Sequence, residues 1–242
     1  MLIVSIGAEN FNIAKAVIEI IDKYIYYKQK SFNEFIEYCQ KLNKLSDTDT
    51  VEKMDFIKSL LKPNVDARIF EIVSFAILKA YYSDKCVFIG LTRENIEEHN
   101  LILYKTGRVN ANDGGIDFVM KPLGRFFQVT ETIDANKYFL DIDKVQKFPI
   151  TFVVKTDESC EEILKQVRNQ AEKKYIVSKV VDKFLESIEE TINIPILLER
   201  LNAVINKSHF SSVLQDIILY SKVEFNIEDV IDVIDGDVDD IL

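Results

Sequence analysis

Apolar positions recur at helical spacing through the start of the chain. "FNIAKAVIEIIDKYIYY" (11–27) carries them on one broad stripe, which predicts a helix. "SFNEFIEYCQKLNKL" (31–45) predicts a second helix with Ser31 as its N-cap, and "SDTDTVEKMDFIKSLLKP" (46–63) a third that stops at Pro63. The pattern then changes. "NVDARIFEIVSFAILKAYY" (64–82) is apolar on nearly every side, so a buried helix is expected. Short runs follow. "CVFIG" and "LILYKTG" read as strands, and "GIDFVMK" and "RFFQVTE" as two strands joined by the turn "PLG". "DANKYFLDIDKVQK" predicts a helix capped by Asp134, and "FPITFVVKT" a strand buried on both faces. Residues 157–222 read as helical, with Pro195 opening a helix. The expected organisation is a helical region over 1–63, an α/β core over 64–156, and a C-terminal helical region over 157–242 that ends in an acidic tail.

Composition supports a large core: 48% of the 242 residues are hydrophobic and 29% charged. No apolar run approaches the ~20 residues that span a bilayer, so no membrane partner is expected. The N-terminal stretch has no basic start and no small-residue cleavage site, so no signal peptide is read. The three cysteines, Cys39, Cys86 and Cys160, are widely spaced, which suits a reducing compartment. Together these point to a cytoplasmic protein.

The net charge of −10 is uneven along the chain. Residues 223–242 hold eight acids and no base, so the other 222 residues carry only −2. Residues 101–155 hold eight Lys or Arg against six Asp or Glu. A basic face in the middle of the chain is compatible with nucleic acid. The phosphate-binding, dinucleotide and serine-hydrolase motifs built on glycine are absent.

Candidate chemistry lies in the hairpin. Side chains alternate along a strand, so Gln128 and Thr130 share a face with Phe126, and the turn sets Asp117 across from Gln128 or Val129. Cross-strand neighbours have Cβ atoms about 4.5–5.5 Å apart, close enough for an acid, an amide oxygen and the Val129 carbonyl to share a hard cation. Glu71 sits on an apolar helix stripe with Phe75 and Leu78, where a carboxylate must be paired, protonated or metal-bound. Arg68 is one candidate partner. Lys105, Arg108, Asn110 and Asn112 in "LYKTGRVNAND", with Lys121 and Arg125, are candidates for contacts with phosphates or base edges.

The pieces "IFEIV", "DGGID" and "FFQVT" resemble the PD-(D/E)XK nuclease superfamily, the fold of many type II restriction endonucleases, and most closely its Mrr-like branch. The resemblance covers about residues 64–156. It implies a mixed-sheet α/β core flanked by helical regions, and a Mg²⁺-dependent DNA endonuclease, a type II restriction enzyme. Glu71, Asp117 and Gln128 would be the metal ligands. The expected partners are double-stranded DNA, a second copy of the chain and, genetically, a cognate DNA methyltransferase. One position departs from the family: Thr130 stands where its members carry a lysine. Three answers stay open. The lysine has moved, with Lys137 the first candidate and Lys121 the second; the metal alone suffices; or the fold keeps the shape without turnover. A catalytically silent nucleic-acid-binding module and a helical adaptor are the alternative readings.

Overall fold

The computed structural model of the chain describes residues 3–7, 9–44, 50–107, 116–175 and 177–225. It divides into two compact units, Met1–Leu45 and Ser46–Leu242.

The first unit begins with a hairpin that the sequence pattern did not reveal. Strands β1 (Ile3–Ile6) and β2 (Glu9–Asn12) pair antiparallel, with Val4 opposite Phe11. Helix α1 (Ile13–Asn43) follows at once, and the Asn12 side chain caps it by accepting the Lys15 N–H at 3.4 Å. The two expected helices are therefore one. "KQK" between them consists of good helix formers, and Ser31 lies inside the helix instead of capping a new one.

The second unit opens with α2 (Thr50–Leu60) and α3 (Ala67–Tyr82). Asp66 caps α3 through the Arg68 N–H at 2.9 Å. The helix is buried from Phe70 through Leu78, as its all-round apolar surface predicts. Next come β3 (Cys86–Ile89), a short 3₁₀ turn (Arg93–Asn95) and β4 (Glu97–Asn100), which form a separate two-stranded ribbon. The main sheet starts with β5 (Ile102–Lys105), β6 (Phe118–Lys121) and β7 (Arg125–Thr130). It continues through α4 (Ala135–Lys144), β8 (Ile150–Val154), α5 (Cys160–Lys174), α6 (Ser178–Glu186) and β9 (Ile188–Ile192). Helices α7 (Ile194–Asn206) and α8 (Phe210–Glu224) complete the unit.

The five strands lie in chain order. β6 runs antiparallel to both β5 and β7, while β8 and β9 run parallel to β7. The chain is thus mixed α/β, with eight α-helices and a five-stranded mixed sheet among the described residues. β9 corrects the expectation that 157–222 is purely helical. Its β-branched Ile188, Thr191 and Ile192 suit a pleated strand, and the acids between them find cationic partners. Pro195 lies in the first turn of α7, as expected.

Each face of the sheet carries helices. On one face α3 packs its Phe75 ring 5.1 Å from Phe118 and its Tyr82 ring 6.3 Å from Phe127, with α7 and α8 packed against α3. On the other face α4, α5 and α6 bury Tyr138, Phe139, Ile163 and Val167 against Ile150, Phe152 and Val154. All five residues of β8 are buried, which matches its continuous apolar run. The hairpin turn closes through the Gly124 N–H to the Met120 carbonyl at 2.9 Å. Gly124 has φ +66°, a left-handed conformation that favours a residue without Cβ. No helix among the described residues is long and apolar enough to cross a membrane.

Candidate metal and nucleic-acid site

The carboxyl ends of β5, β7 and β8 and the start of β6 meet at one end of the sheet. Open α/β sheets place ligands at this end. Residues 108–115, which join β5 to β6, carry Arg108, Asn110 and Asn112 and lie outside the described residues.

Asp117 sits just before β6. Its own N–H donates to the Phe127 carbonyl at 2.9 Å, and its carbonyl accepts from the Thr106 N–H at 3.0 Å. Its carboxylate Oδ2 accepts the Val129 N–H at 2.6 Å. The side chain thus takes up a main-chain donor of β7 where the regular ladder has ended. With Phe118 opposite Phe127, Asp117 falls across from Gln128, one of the two positions, Gln128 or Val129, that the sequence left open.

Gln128 points away from α3. Its neighbour Phe127 faces α3, its parallel partner is Phe152, and Phe126 two residues earlier packs into the α4–α5 core. The Gln128 amide Nε2 donates to the Val129 carbonyl at 3.3 Å. Its Oε1 is buried and has no hydrogen-bond partner among the described residues. An orphaned buried acceptor costs about 1–3 kcal/mol and calls for an explanation. The Asp117 carboxylate and the Gln128 side-chain amide both contact the Val129 main chain, the first at its N–H and the second at its carbonyl, and carboxylate, amide and main-chain oxygens are the donor types that suit Mg²⁺. Their identity and the unpartnered Oε1 fit a divalent cation. Among the described residues, no three or more His, Cys, Asp or Glu side chains cluster at metal-binding spacing, so a cation here would rest on amide and main-chain oxygens beside one carboxylate.

Glu71 reaches the same end from the other face. It forms an ion pair with the Lys105 ammonium, and each side chain is only 9% exposed. The Glu71 carboxylate is therefore engaged by a cation of the chain itself. Arg68, the candidate partner from the sequence, instead binds Asp66 at 2.9 Å and stacks over Phe225. Lys105 lies directly across from Phe118, so it shares that ring's face toward α3. The structure describes Lys105 at the end of strand β5 and not in a loop.

Thr130, on the Gln128 face, turns its hydroxyl to the Thr132 carbonyl at 3.1 Å. Neither candidate substitute for the missing lysine forms an ion pair with Asp117 among the described residues. Lys137 is exposed on α4 with Asp141 as a charged neighbour. Lys121 lies at the turn end of β6 with its ammonium 4.6 Å from the centre of the Tyr104 ring. Arg125 is likewise engaged elsewhere. Its guanidinium binds Thr151 Oγ1, Glu190 at 2.6 Å and Glu189 at 3.0 Å, at the far end of the sheet. Its charge serves an internal network that also includes Arg200 and Tyr82.

One cation here escaped the sequence reading. Lys155, directly after β8, is 2% exposed and binds Glu131 at 2.6 Å and the Val65 carbonyl. Its signal in the sequence is a lysine that ends an unbroken buried strand.

Comparison of the chain with protein-family models, with curated proteins and with solved structures gives no significant match.

Proposed function

We propose that this chain is a divalent-metal-dependent DNA endonuclease of the PD-(D/E)XK type, acting as a restriction enzyme. The observation that carries the reading is that Asp117 and Gln128 both contact the Val129 main chain while the buried Gln128 Oε1 has no partner among the described residues. The element order supports it: α3, three antiparallel strands β5 to β7, α4, then β8 parallel to β7.

Asp117, Gln128 and the Val129 carbonyl would hold Mg²⁺. When bound, Mg²⁺ supplies Lewis-acid polarisation of a phosphoryl oxygen and a more acidic water. The chain's own residues do the rest. The Val129 N–H fixes the rotamer of Asp117 by taking one of its two carboxylate oxygens. Thr106 ties the end of β5 to the Asp117 backbone, so Lys105 and Asp117 are held on one rigid edge. Glu71 orients the Lys105 ammonium at the same end of the sheet, on the face toward α3. Double-stranded DNA is the substrate, and a palindromic target would be cut by a two-fold pair of chains, with a DNA methyltransferase protecting the host.

A second reading is favoured by two observations. The Lys105 ammonium already neutralises Glu71, and the Thr130 hydroxyl is folded into a local turn. On this reading the same site binds nucleic acid without cutting it. Incubating phage DNA with the protein and Mg²⁺, then sequencing the product ends, separates the two. Defined ends that disappear with Asp117→Asn support the endonuclease. Salt-dependent DNA binding without cleavage supports the silent module, and absence of both rejects the nucleic-acid reading.

A further inference from the structure

We propose that the first half of α1 is a dimerisation element that pairs antiparallel with the same segment of a second copy of this chain. The inference concerns the N-terminal unit alone and does not depend on the nuclease reading. Val17, Ile18, Ile21, Tyr24 and Ile25 form one continuous stripe at helical spacing. Ile18 is 58% exposed, Ile21 50% and Tyr24 62%. In the hairpin that precedes the helix, the cross-strand neighbours Val4 and Phe11 are exposed as well. Single exposed apolar residues are ordinary, but a contiguous patch of this kind marks an interaction surface.

Charge and size identify the occupant. The side of the helix away from the stripe carries the exposed Tyr26 and the charges Lys15 and Lys23 against Glu19 and Asp22, an even balance. Helices that lie on lipid are rich in Lys and Arg on their polar face, and nucleic-acid surfaces are basic, so neither partner fits a balanced face. The stripe alone offers five exposed apolar side chains toward the roughly 800 Å² per partner that a stable interface buries. A two-fold arrangement brings the patch onto itself and closes, so no sticky surface is left over.

Lys28 fixes the direction. It lies two turns beyond Ile21 on the stripe, with its ammonium 5.7 Å from the centre of the Tyr24 ring. A parallel, in-register pair would set Lys28 against the partner's Lys28. An antiparallel pair centred on Ile21 sets it against the partner's Ala14, whose small side chain leaves room for the lysine stem. The same centre places Val17 beside the partner's Ile25 and Ile18 beside the partner's Tyr24.

Sedimentation equilibrium of the full chain tests the assembly. The wild type is expected at twice the chain mass at micromolar concentration. Ile21→Glu is expected to weaken the dimer more than ~100-fold with an unchanged circular-dichroism spectrum, because Ile21 is exposed within its own chain. Orientation is read by disulfide trapping in a Cys86→Ser background. Mixing Val17→Cys chains with Ile25→Cys chains is expected to give a crosslinked pair, while each variant alone gives none. A wild type that stays monomeric, a dimer that Ile21→Glu leaves intact, or crosslinking of Val17→Cys alone overturns the proposal. So does a monomer that floats with anionic phosphatidylserine vesicles, which would assign the stripe to a lipid surface.

Discussion

Glu71 on α3 and Lys105 on β5 form a buried ion pair at the end of the sheet where Asp117 stands. Removing one partner of such a pair leaves an uncompensated charge in a poorly solvated place. Glu71→Gln, which leaves the Lys105 ammonium without its carboxylate, is therefore expected to destabilise the fold by about 3–5 kcal/mol. The double variant Glu71→Gln/Lys105→Met should recover much of that loss, because neither charge then remains. Urea unfolding of the two single variants and the double completes a mutant cycle. Equal losses in Glu71→Gln and the double would show that the pair is not coupled.

Arg125 is engaged by Glu189, Glu190 and Thr151 in an internal network. Arg125→Met is expected to lower stability by about 2 kcal/mol, the scale of a hydrogen bond to a charged group. Its affinity for DNA should be unchanged. A loss of DNA affinity with unchanged stability would restore Arg125 to the nucleic-acid surface.

Tyr138 stacks on Phe152 with ring centroids 4.0 Å apart, yet its hydroxyl is buried with no partner among the described residues. Burial pushes the phenol pKa up, as a desolvated hydroxyl requires. Tyr138→Phe keeps the stack and removes the orphaned group. It is expected to raise stability by about 1 kcal/mol, read as a higher melting temperature; a lower one would mean that the hydroxyl has a partner in solution.

Asp216 on α8 is held above the usual carboxylate range, chiefly by burial, and its 2.8 Å bond to Lys79 only partly offsets this. A raised folded-state pKa favours folding below the unfolded value of about 3.9, and that benefit is lost as pH rises through the folded value. Asp216→Asn, which carries no such titration, should therefore compare best with the wild type at neutral pH. Its relative stability should fall as pH drops through the folded value toward 3.9, because the wild-type carboxyl then becomes neutral. Lys79 is 39% exposed, so water replaces the lost partner at little cost. Chemical denaturation across this range checks the sign, and an advantage for the variant that grows on acidification contradicts it.

Much of this was legible in the chain. The all-round apolar surface of α3 announced its burial, and the unbroken run of β8 announced a strand covered on both faces. Alternation along β6 and β7, with a short turn between them, set Asp117 across from Gln128 or Val129, and the strand register selects Gln128. What failed depended on distant partners. "IEETI" reads as a polar surface until Arg125 and Arg200 neutralise Glu190, and only then is β9 visible. Lys105 looked like a loop cation because its partner lies 34 positions away on a helix. The N-terminal hairpin gave no signal because its strands are four residues each and mix polar with apolar positions.

The most direct test of the metal site is calorimetric titration of the protein with Mn²⁺, a spectroscopically visible stand-in for Mg²⁺. The wild type is expected to bind one ion per chain, and Asp117→Asn and Gln128→Leu are each expected to weaken binding more than ~10-fold. Binding that both substitutions leave unchanged, or no binding by the wild type, would contradict the assignment of Asp117, Gln128 and the Val129 carbonyl to a divalent cation.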